Sequence, residues 1–191
     1  MYEPKNFERL LGTEGFSDIL LRNHFTLYEG YVSNVNKVYE FLKNGEVGVP
    51  PWAELKRRFG WEWDGMRLHE VYFENMVKGG SVFDKQSPLA QKIAEDFGSF
   101  EVWEKDFRAT GVMRGIGWVA LVQDVESGRL FNIWVNEHDA GHLGGTKMIL
   151  VMDVFEHAFA LDYGLKRADY IVAFWNAIDW NVVSSRFIAG K

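Results

Sequence analysis

The run ILVMDVFEHAFALDY, residues 149–163, places three ionisable side chains inside an otherwise apolar segment. They are Asp153, Glu156 and His157. Because a buried charge costs several kcal/mol unless it is paired, hydrogen-bonded or bound to a metal, each of them needs a partner in the fold. On a helix, Asp153 and His157 would lie four residues apart and converge on one point, whereas Glu156 would point elsewhere. The segment therefore predicts one polar centre that contains Asp153 and His157, and a different partner for Glu156.

Upstream, the apolar spacing predicts a hairpin of two helices. From Ser17 to about Asn44 the apolar residues recur at helical spacing, and the glycines and prolines of KNGEVGVPPW then stop the helix. After a connector, a second helix is expected to start near Asp64, run through GMRLHEVYFENMV and end at the pair Gly79 and Gly80. Two such consecutive helices predict an antiparallel hairpin.

The remainder of the chain mixes helices with short strands. Ser87 and Ser99 each precede a short amphipathic run and are expected to cap two helices. GWVALVQD, RLFNIWVNE and KMILVMDV predict three antiparallel strands, with ESGR as the first turn, and DYIVAFWNAI and WNVVSSRF predict closing helices. The predicted fold class is α+β: an N-terminal antiparallel helical hairpin, 1–84, followed by an α/β domain, 85–191, with a small three-stranded antiparallel sheet flanked by helices. A metal site is expected between the two.

Composition limits the possible functions. The 191 residues carry a net charge of −6, which argues against binding of nucleic acid or of an anionic membrane surface. The absence of cysteine excludes disulfides, Cys-ligated zinc and iron–sulfur clusters, so any metal must be held by His, Asp or Glu. The first residues, MYEPKNFERLLG, lack the apolar core of a signal peptide, and no run approaches a membrane span, so a cytoplasmic protein is expected.

The histidines offer a possible ligand set. His24 and His69 fall on the two predicted hairpin helices, so each can present an imidazole to a common interior point, where Asp153 and His157 could add two more ligands. Three imidazoles and one carboxylate suit Fe, Mn or Zn. Taken singly, each histidine could instead be an ordinary core or surface residue, and Asp153 could be a helix N-cap. Spacing alone allows a mononuclear site without requiring one.

Four motifs, in order along nearly the whole chain, resemble the iron/manganese superoxide dismutase family. DVFEHAFALDYGLKRADYIVAFWNAIDW is similar to its C-terminal signature, D-x-W-E-H-A-Y followed by a basic residue, D-Y and F-W-N. HFTLYEGYVSN resembles the first ligand helix, LHEVYF the second, and GIGW the Gly-x-Gly-Trp strand. The resemblance implies disproportionation of superoxide to dioxygen and hydrogen peroxide at one Fe or Mn ion that alternates between two oxidation states, which redox-silent zinc cannot do. The ligands that it implies are His24, His69, Asp153 and His157.

The resemblance also implies roles for residues around the metal. Tyr31 matches a tyrosine near the site, and Trp118 matches a tryptophan that walls the substrate pocket. His138, 15 residues before Asp153, matches a histidine that replaces the usual glutamine in a group of archaeal-type members. Arg167, in LKRADYI, matches the basic residue at the substrate funnel, although a solvated surface arginine fits the same pattern. His142, nearby in the sequence, is expected to be a structural residue, although a loop histidine without a task fits the same position.

A homodimer, or a tetramer built from dimers, is implied as well. Glu156 matches the glutamate that crosses the subunit interface to bond the partner's ligand histidine, here His157. Phe159 replaces the tyrosine that usually contributes to the same interface. Val151, two residues before Asp153, is bulkier than the glycine often found there in manganese members, which favours iron without excluding manganese.

One departure affects the first ligand helix. Common members carry a second histidine four residues after the ligand and the tyrosine eight after it, whereas Tyr28 stands at four and Tyr31 at seven after His24. Loss of one residue can remove a π-bulge, so a more regular helix is expected here, with Tyr31 only about 20° from His24 around the axis. Aligning on Tyr31 instead would put Asn23, a poor ligand, in the place of His24.

Two other classes of function remain for comparison. A mononuclear non-haem oxygenase or hydrolase could use a subset of the same ligands, but it would need a larger pocket with open coordination positions. A non-catalytic helical interaction module would keep the histidines as core residues and bind no metal. Chelation should lower the thermal stability of a protein with a metal site and leave the stability of a metal-free interaction module unchanged.

Overall fold

The computed structural model describes residues 1–187 and begins with a long helical hairpin. Helix α1 spans Asp18–Asn44, and the Ser17 hydroxyl caps it by accepting from the Leu20 N–H at 3.1 Å. Helix α2 spans Pro50–Glu74 and packs along α1. The α1 helix is uninterrupted and contains no π-helical turn, as expected from the shortened spacing between its histidine and tyrosine.

The predicted start of α2 near Asp64 is wrong. The helix begins at Pro50, because proline fits the first helical turn, where its missing N–H has no intrahelical acceptor in any case. The prolines of KNGEVGVPPW, taken as a stop signal for α1, therefore start the next helix. Helix α2 also ends at Glu74, before the glycine pair that was expected to end it.

The second half of the chain contains a three-stranded sheet enclosed by helices. Helices α3 (Pro88–Phe97) and α4 (Phe100–Gly111) have Ser87 and Ser99 as N-caps, as predicted. The bounds of the remaining elements are β1 Gly117–Asp124, β2 Leu130–Asn136, β3 Thr146–Asp153, α5 Ala160–Tyr163, α6 Arg167–Asn176 and α7 Trp180–Arg186. The strands are antiparallel in the order β2-β1-β3, with α2 and α7 packed on β3 and α4 packed on β1 and β2. The predicted α+β class and the antiparallel sheet are confirmed, and the division of the chain after residue 84 stays a prediction.

Register in the sheet positions the polar centre. Trp118, near the start of β1, pairs with Asp153, the last residue of β3. A short 3-10 turn, Glu156–Ala158, follows the strand, so Asp153 and His157 do not share a helix. Their convergence comes from a strand end and the turn after it, so the prediction that the two residues share a helix is wrong.

Residues near both ends of the described part of the chain, Lys5 and Arg186, meet at the end of α2. Glu74 accepts from Lys5 Nζ at 2.8 Å and from an Arg186 amino group at 3.0 Å. Arg186 also donates to the side chain of Asn75 and to the carbonyl of Ile149 in β3. Within residues 1–187, none of the helices is both long enough and apolar enough to cross a membrane.

Candidate metal centre

Four side chains, each from a different element, converge between the hairpin and the sheet. His24 comes from α1, His69 from α2, Asp153 from the end of β3 and His157 from the following turn. One potential ligand atom from each lies within 4.8 Å of the others. The first three side chains are buried, while that of His157 is 27% exposed. Asn23, the alternative to His24, is exposed and does not face the cluster.

One carboxylate oxygen is common to the three imidazoles. Oδ2 of Asp153 lies 3.0 Å from Nε2 of His157, 3.2 Å from Nε2 of His24 and 3.7 Å from Nε2 of His69. The other oxygen, Oδ1, accepts the backbone N–H of Phe155 at 2.9 Å. Asp153 therefore caps the following turn with one oxygen and keeps the other for the histidines.

The protonation of His69 fits a cation site in this cluster. Its Nδ1 lies 2.5 Å from the carbonyl oxygen of Gly65, which can only accept, so Nδ1 carries the proton and Nε2 presents a lone pair. That Nε2 is buried, has no hydrogen-bond partner among residues 1–187, and faces the carboxylate of Asp153, another acceptor. A bound cation between these two buried acceptors would satisfy both, and a ring whose other nitrogen donates to a carbonyl is the usual form of a metal-ligating histidine.

The protonation states agree with this assignment. Burial, with the neighbouring charge of His24, holds the pKa of His69 well below its usual value, so the ring is neutral at pH 7. Burial alone would raise the pKa of Asp153, but the charge and hydrogen bond of His157 and the hydrogen bond of His24 outweigh it and lower that pKa strongly. A neutral His69 and an ionised Asp153 are the forms that bind a metal, so the residues fit an iron or manganese ion.

Gly65 makes room for Tyr31 beside the cluster. A Cβ at position 65 would lie 2.6 Å from ring carbon Cδ1 of Tyr31. Without it, the Tyr31 ring stacks on His69 with centroids 5.2 Å apart. The shortened spacing in α1 therefore leaves Tyr31 next to the ligand set, as the resemblance implied.

His138 connects Tyr31 to Trp118. The indole N–H of Trp118 can only donate, and it lies 3.1 Å from Nδ1 of His138, so this nitrogen is unprotonated. Burial lowers the pKa of His138 to about 4, so the ring is neutral and its proton resides on Nε2. Nε2 in turn lies 2.6 Å from the hydroxyl oxygen of Tyr31, to which it donates. The Tyr31 oxygen is thus an acceptor from His138, and its own proton is free to be donated elsewhere.

The phenol keeps that proton at neutral pH. Burial, with the negative charges of Asp153 and Glu62, raises the pKa of Tyr31 to about 12. Glu62, itself buried, is paired with Arg58 at 2.7 Å and accepts from the Asn34 amide at 3.2 Å. Tyr31 is therefore a neutral hydrogen-bond donor beside the cluster.

Aromatic rings surround this network. Trp118 lies edge-on to His69 at 4.9 Å, and Phe155 stacks on both His138 and His157, at 4.8 and 5.0 Å. Trp61 of α2 contacts His138 edge-on at 4.8 Å. Trp61 was missed in the sequence because it lies in the segment taken for a connector. Its spacing of four residues to Gly65, and of four more to His69, is the signal that would have placed it on the same helical face.

Some expected contacts are not made within the chain. Arg167 donates to the carbonyls of Met113 and Gly115 at 2.8 and 2.9 Å and does not touch the four-residue cluster. Glu156 is exposed, and its side chain forms no hydrogen bond or ion pair with residues 1–187, although its backbone carbonyl accepts from the Phe159 N–H. Arg167 and Glu156 line the same open surface cleft.

Two further aromatic residues have partners inside the chain. The hydroxyl of Tyr28 donates to Glu70 and accepts from the backbone of Lys5, both at 3.0 Å, so it is engaged away from the cluster. Phe159 is buried and stacks on Tyr170 with ring centroids 5.5 Å apart.

Comparison with known proteins decides the family. A family model described as "Iron/manganese superoxide dismutases, C-terminal domain" matches residues 85–186. The chain is 37% identical over 171 residues to "Superoxide dismutase [Mn] 2" of Haloferax volcanii, with 88% of this chain and 85% of the relative covered. The chain belongs to the iron/manganese superoxide dismutase family.

Relatives named for either metal match the chain. "Superoxide dismutase [Fe]" of Cupriavidus metallidurans is 36% identical over 181 residues, which cover 92% of this chain and 90% of the relative. "Superoxide dismutase [Fe]" of Aquifex pyrophilus is 33% identical over 194 residues, with 97% and 90% covered. Membership of the iron/manganese superoxide dismutase family is therefore independent of the choice between the two metals.

Proposed function

We propose that the protein is a superoxide dismutase with one iron or manganese ion per subunit, bound by His24, His69, Asp153 and His157. The observation that carries the proposal is the buried lone pair of His69 opposite the carboxylate of Asp153, an arrangement that a bound cation would satisfy. When bound, iron or manganese supplies the one-electron exchange by which two superoxide ions and two protons become one dioxygen and one hydrogen peroxide. Family membership supports the same activity.

The side chains around the cluster would manage the two protons. Tyr31 accepts from Nε2 of His138, which leaves its own O–H free to donate toward an anion beside the ligands. Trp118 fixes the tautomer of His138, so the direction of this hydrogen-bond chain is set before any substrate arrives. We assign Tyr31 and His138 as proton donors, and Trp118 as both their positioning residue and a wall of the pocket.

Arg167 is proposed as the local cation for an anionic substrate. A net charge of −6 repels superoxide overall, so attraction must come from individual groups near the opening. The two carbonyls that hold Arg167 do not neutralise its charge, and it lies in an open cleft with Glu156. A cytoplasmic location stays a prediction.

For the metal, we propose iron, with manganese also accepted. Both ions take the same histidine and carboxylate ligands, and relatives are named for each. Val151 is fully buried in β3, two residues before the carboxylate ligand, and its bulk is the feature that favours iron.

The decisive experiment compares one apoprotein loaded separately with iron, manganese and zinc. Zinc suits the same ligands but cannot change oxidation state, so it is the matched control for binding without redox chemistry. All three ions should raise the melting temperature, while the iron and manganese forms alone should disproportionate superoxide. A hydrolase would work with zinc, and a non-catalytic module would bind none of the ions. Failure of both the iron and the manganese forms to exceed free metal would overturn the proposal.

We also propose a homodimer in which Glu156 accepts from the partner subunit's His157. Support comes from the exposure of Glu156, the lack of partners for its side chain within residues 1–187, and its position next to the proposed ligand His157. Glu156→Gln should weaken association in sedimentation velocity and lower turnover together. Glu126→Gln, the same charge change at an exposed residue after β1, is the control. An unchanged dimer with normal turnover in Glu156→Gln would contradict the assignment.

A further inference from the structure

The turn between β2 and β3 that carries His138 is strained. Asn136 and Ala140 pair through their backbones at 2.7 and 3.3 Å, so His138 lies at the tip of a tight turn. Glu137, just before it, has φ of 53° and is the one non-glycine residue with positive φ within residues 1–187. A residue with a side chain keeps this left-handed conformation when its surroundings hold it there. The turn therefore needs an external restraint.

His142 is placed to supply this restraint. Its Nε2 lies 2.8 Å from the carbonyl oxygen of His138, which can only accept, so Nε2 carries the proton and donates it. The same nitrogen lies 3.5 Å from Oδ2 of Asp64 on α2. Asp64 precedes Gly65, whose carbonyl orients His69. One imidazole thus links the turn that carries His138 to the helical turn that orients a metal ligand.

The chain reversal that returns His142 to His138 requires glycine. Gly141 has φ of 104°, and a Cβ there would lie 2.6 Å from the carbonyl oxygen of Trp134. His142 itself is partly buried and does not belong to the four-residue metal cluster. Its contacts are with the backbone of the turn and with α2, as expected of a restraint.

We propose that His142 is a positioning residue that holds His138 in place. By anchoring the carbonyl of His138, it keeps that imidazole between the indole N–H of Trp118 and the hydroxyl of Tyr31, and so fixes which nitrogen of His138 is protonated. The consequence for turnover rests on the proposed dismutase function. The effect on the tautomer does not, and it can be measured in the metal-free protein.

The role requires one N–H at the position of Nε2, which defines a matched pair of variants. In His142→Gln the side-chain amide can still donate to the carbonyl of His138, whereas in His142→Met a side chain of the same length cannot. Leu143→Ala changes the next residue, which is exposed, and controls for general disturbance of the segment.

The first measurement is a long-range ¹H–¹⁵N spectrum of the histidine rings in the apoprotein. The signals of His138 are assigned by their disappearance in the variant His138→Gln. His142→Gln and Leu143→Ala should keep the single tautomer of His138, with the proton on Nε2, whereas His142→Met should give averaged shifts for the two nitrogens. A wild-type His138 pattern in His142→Met would overturn the proposal. So would an averaged pattern in His142→Gln.

The second measurement tests the strain directly. At equal metal content, His142→Met should reduce turnover about tenfold, as expected for a misplaced proton donor, and His142→Gln should restore it. Adding Glu137→Gly, which removes the left-handed strain, should recover most of the loss in His142→Met. A purely additive double variant would contradict the restraint. If His142→Met changes the tautomer of His138 but turnover stays normal, the result would support His142 as a positioning residue and refute the catalytic role of His138.

Discussion

Gly65→Ala tests the packing that places Tyr31 beside the cluster. The new Cβ would lie 2.6 and 2.7 Å from two ring carbons of Tyr31, and ordinary contact between carbons needs about 3.5 Å, so the ring must move by roughly 1 Å. Overpacking of this kind costs about 1–3 kcal/mol, while replacing a helical glycine by alanine returns about 1 kcal/mol. The net loss of stability should therefore be about 0–2 kcal/mol.

The effect on turnover should be much larger than the effect on stability. A displacement of about 1 Å is enough to disrupt the 2.6 Å hydrogen bond between Tyr31 and His138, and misplacement of a reacting group by that distance can cost about a hundredfold in rate. Stopped-flow decay of superoxide should show a loss of about tenfold to a hundredfold at unchanged metal content.

Gly60→Ala is the matched control in the same helix. A Cβ at position 60 meets no atom within 4 Å, so this variant should gain about 1 kcal/mol in urea unfolding and keep full turnover. Normal turnover of metal-loaded Gly65→Ala would refute the reasoning, because Tyr31 would then have tolerated the intrusion or would not take part.

Three further outcomes are expected. His157→Ala should abolish metal retention, measured by elemental analysis, and full metal content would contradict the ligand assignment. Chelation should lower the melting temperature of the wild-type protein, since free metal at 1,000 times its dissociation constant stabilises by about 4 kcal/mol, and it should not lower that of His157→Ala. Burial alone would raise the pKa of Glu74, but Lys5 and Arg186 outweigh it and lower that pKa. The stabilisation from Glu74 is therefore present above the usual glutamate pKa, near 4.3, and is lost as pH falls below it. Glu74→Gln should cost about 1 kcal/mol at pH 7, and a cost that does not shrink as the pH is lowered from about 6 to about 3 would argue against the ion pairs.

Local patterns predicted the elements whose signals are unambiguous. The helical spacing of apolar residues identified α1, and the three aliphatic runs identified the strands, because strong periodicity and turn residues agree there. The start of α2 could not be read in the same way. Pro50 and Pro51 can end one helix or begin another, and the tertiary packing of α2 on α1 decides between the two.

The candidate site depends more on topology than on spacing. His24 and Asp153 are 129 residues apart in the sequence and in contact in the fold. No local pattern predicts this contact, whereas the resemblance to the family implied both residues as ligands of one metal. Position along the chain also could not reveal that Arg167 donates to two backbone carbonyls, or that Trp61 lies against His138. Such contacts are set by neighbouring elements in the fold.

The separation of the ligands along the chain has a consequence during synthesis. Because His24 and Asp153 are 129 residues apart, a nascent chain that has emerged only as far as the hairpin holds two of the four ligands and lacks the carboxylate. Closing so long a loop carries an entropic cost that the packed sheet must first offset. A ribosome-bound fragment therefore cannot hold the ion in this geometry. The proposed ligand set is complete only once residue 157 has been synthesised, so the proposed site could take up its ion, iron or manganese, only after most of the chain has been made.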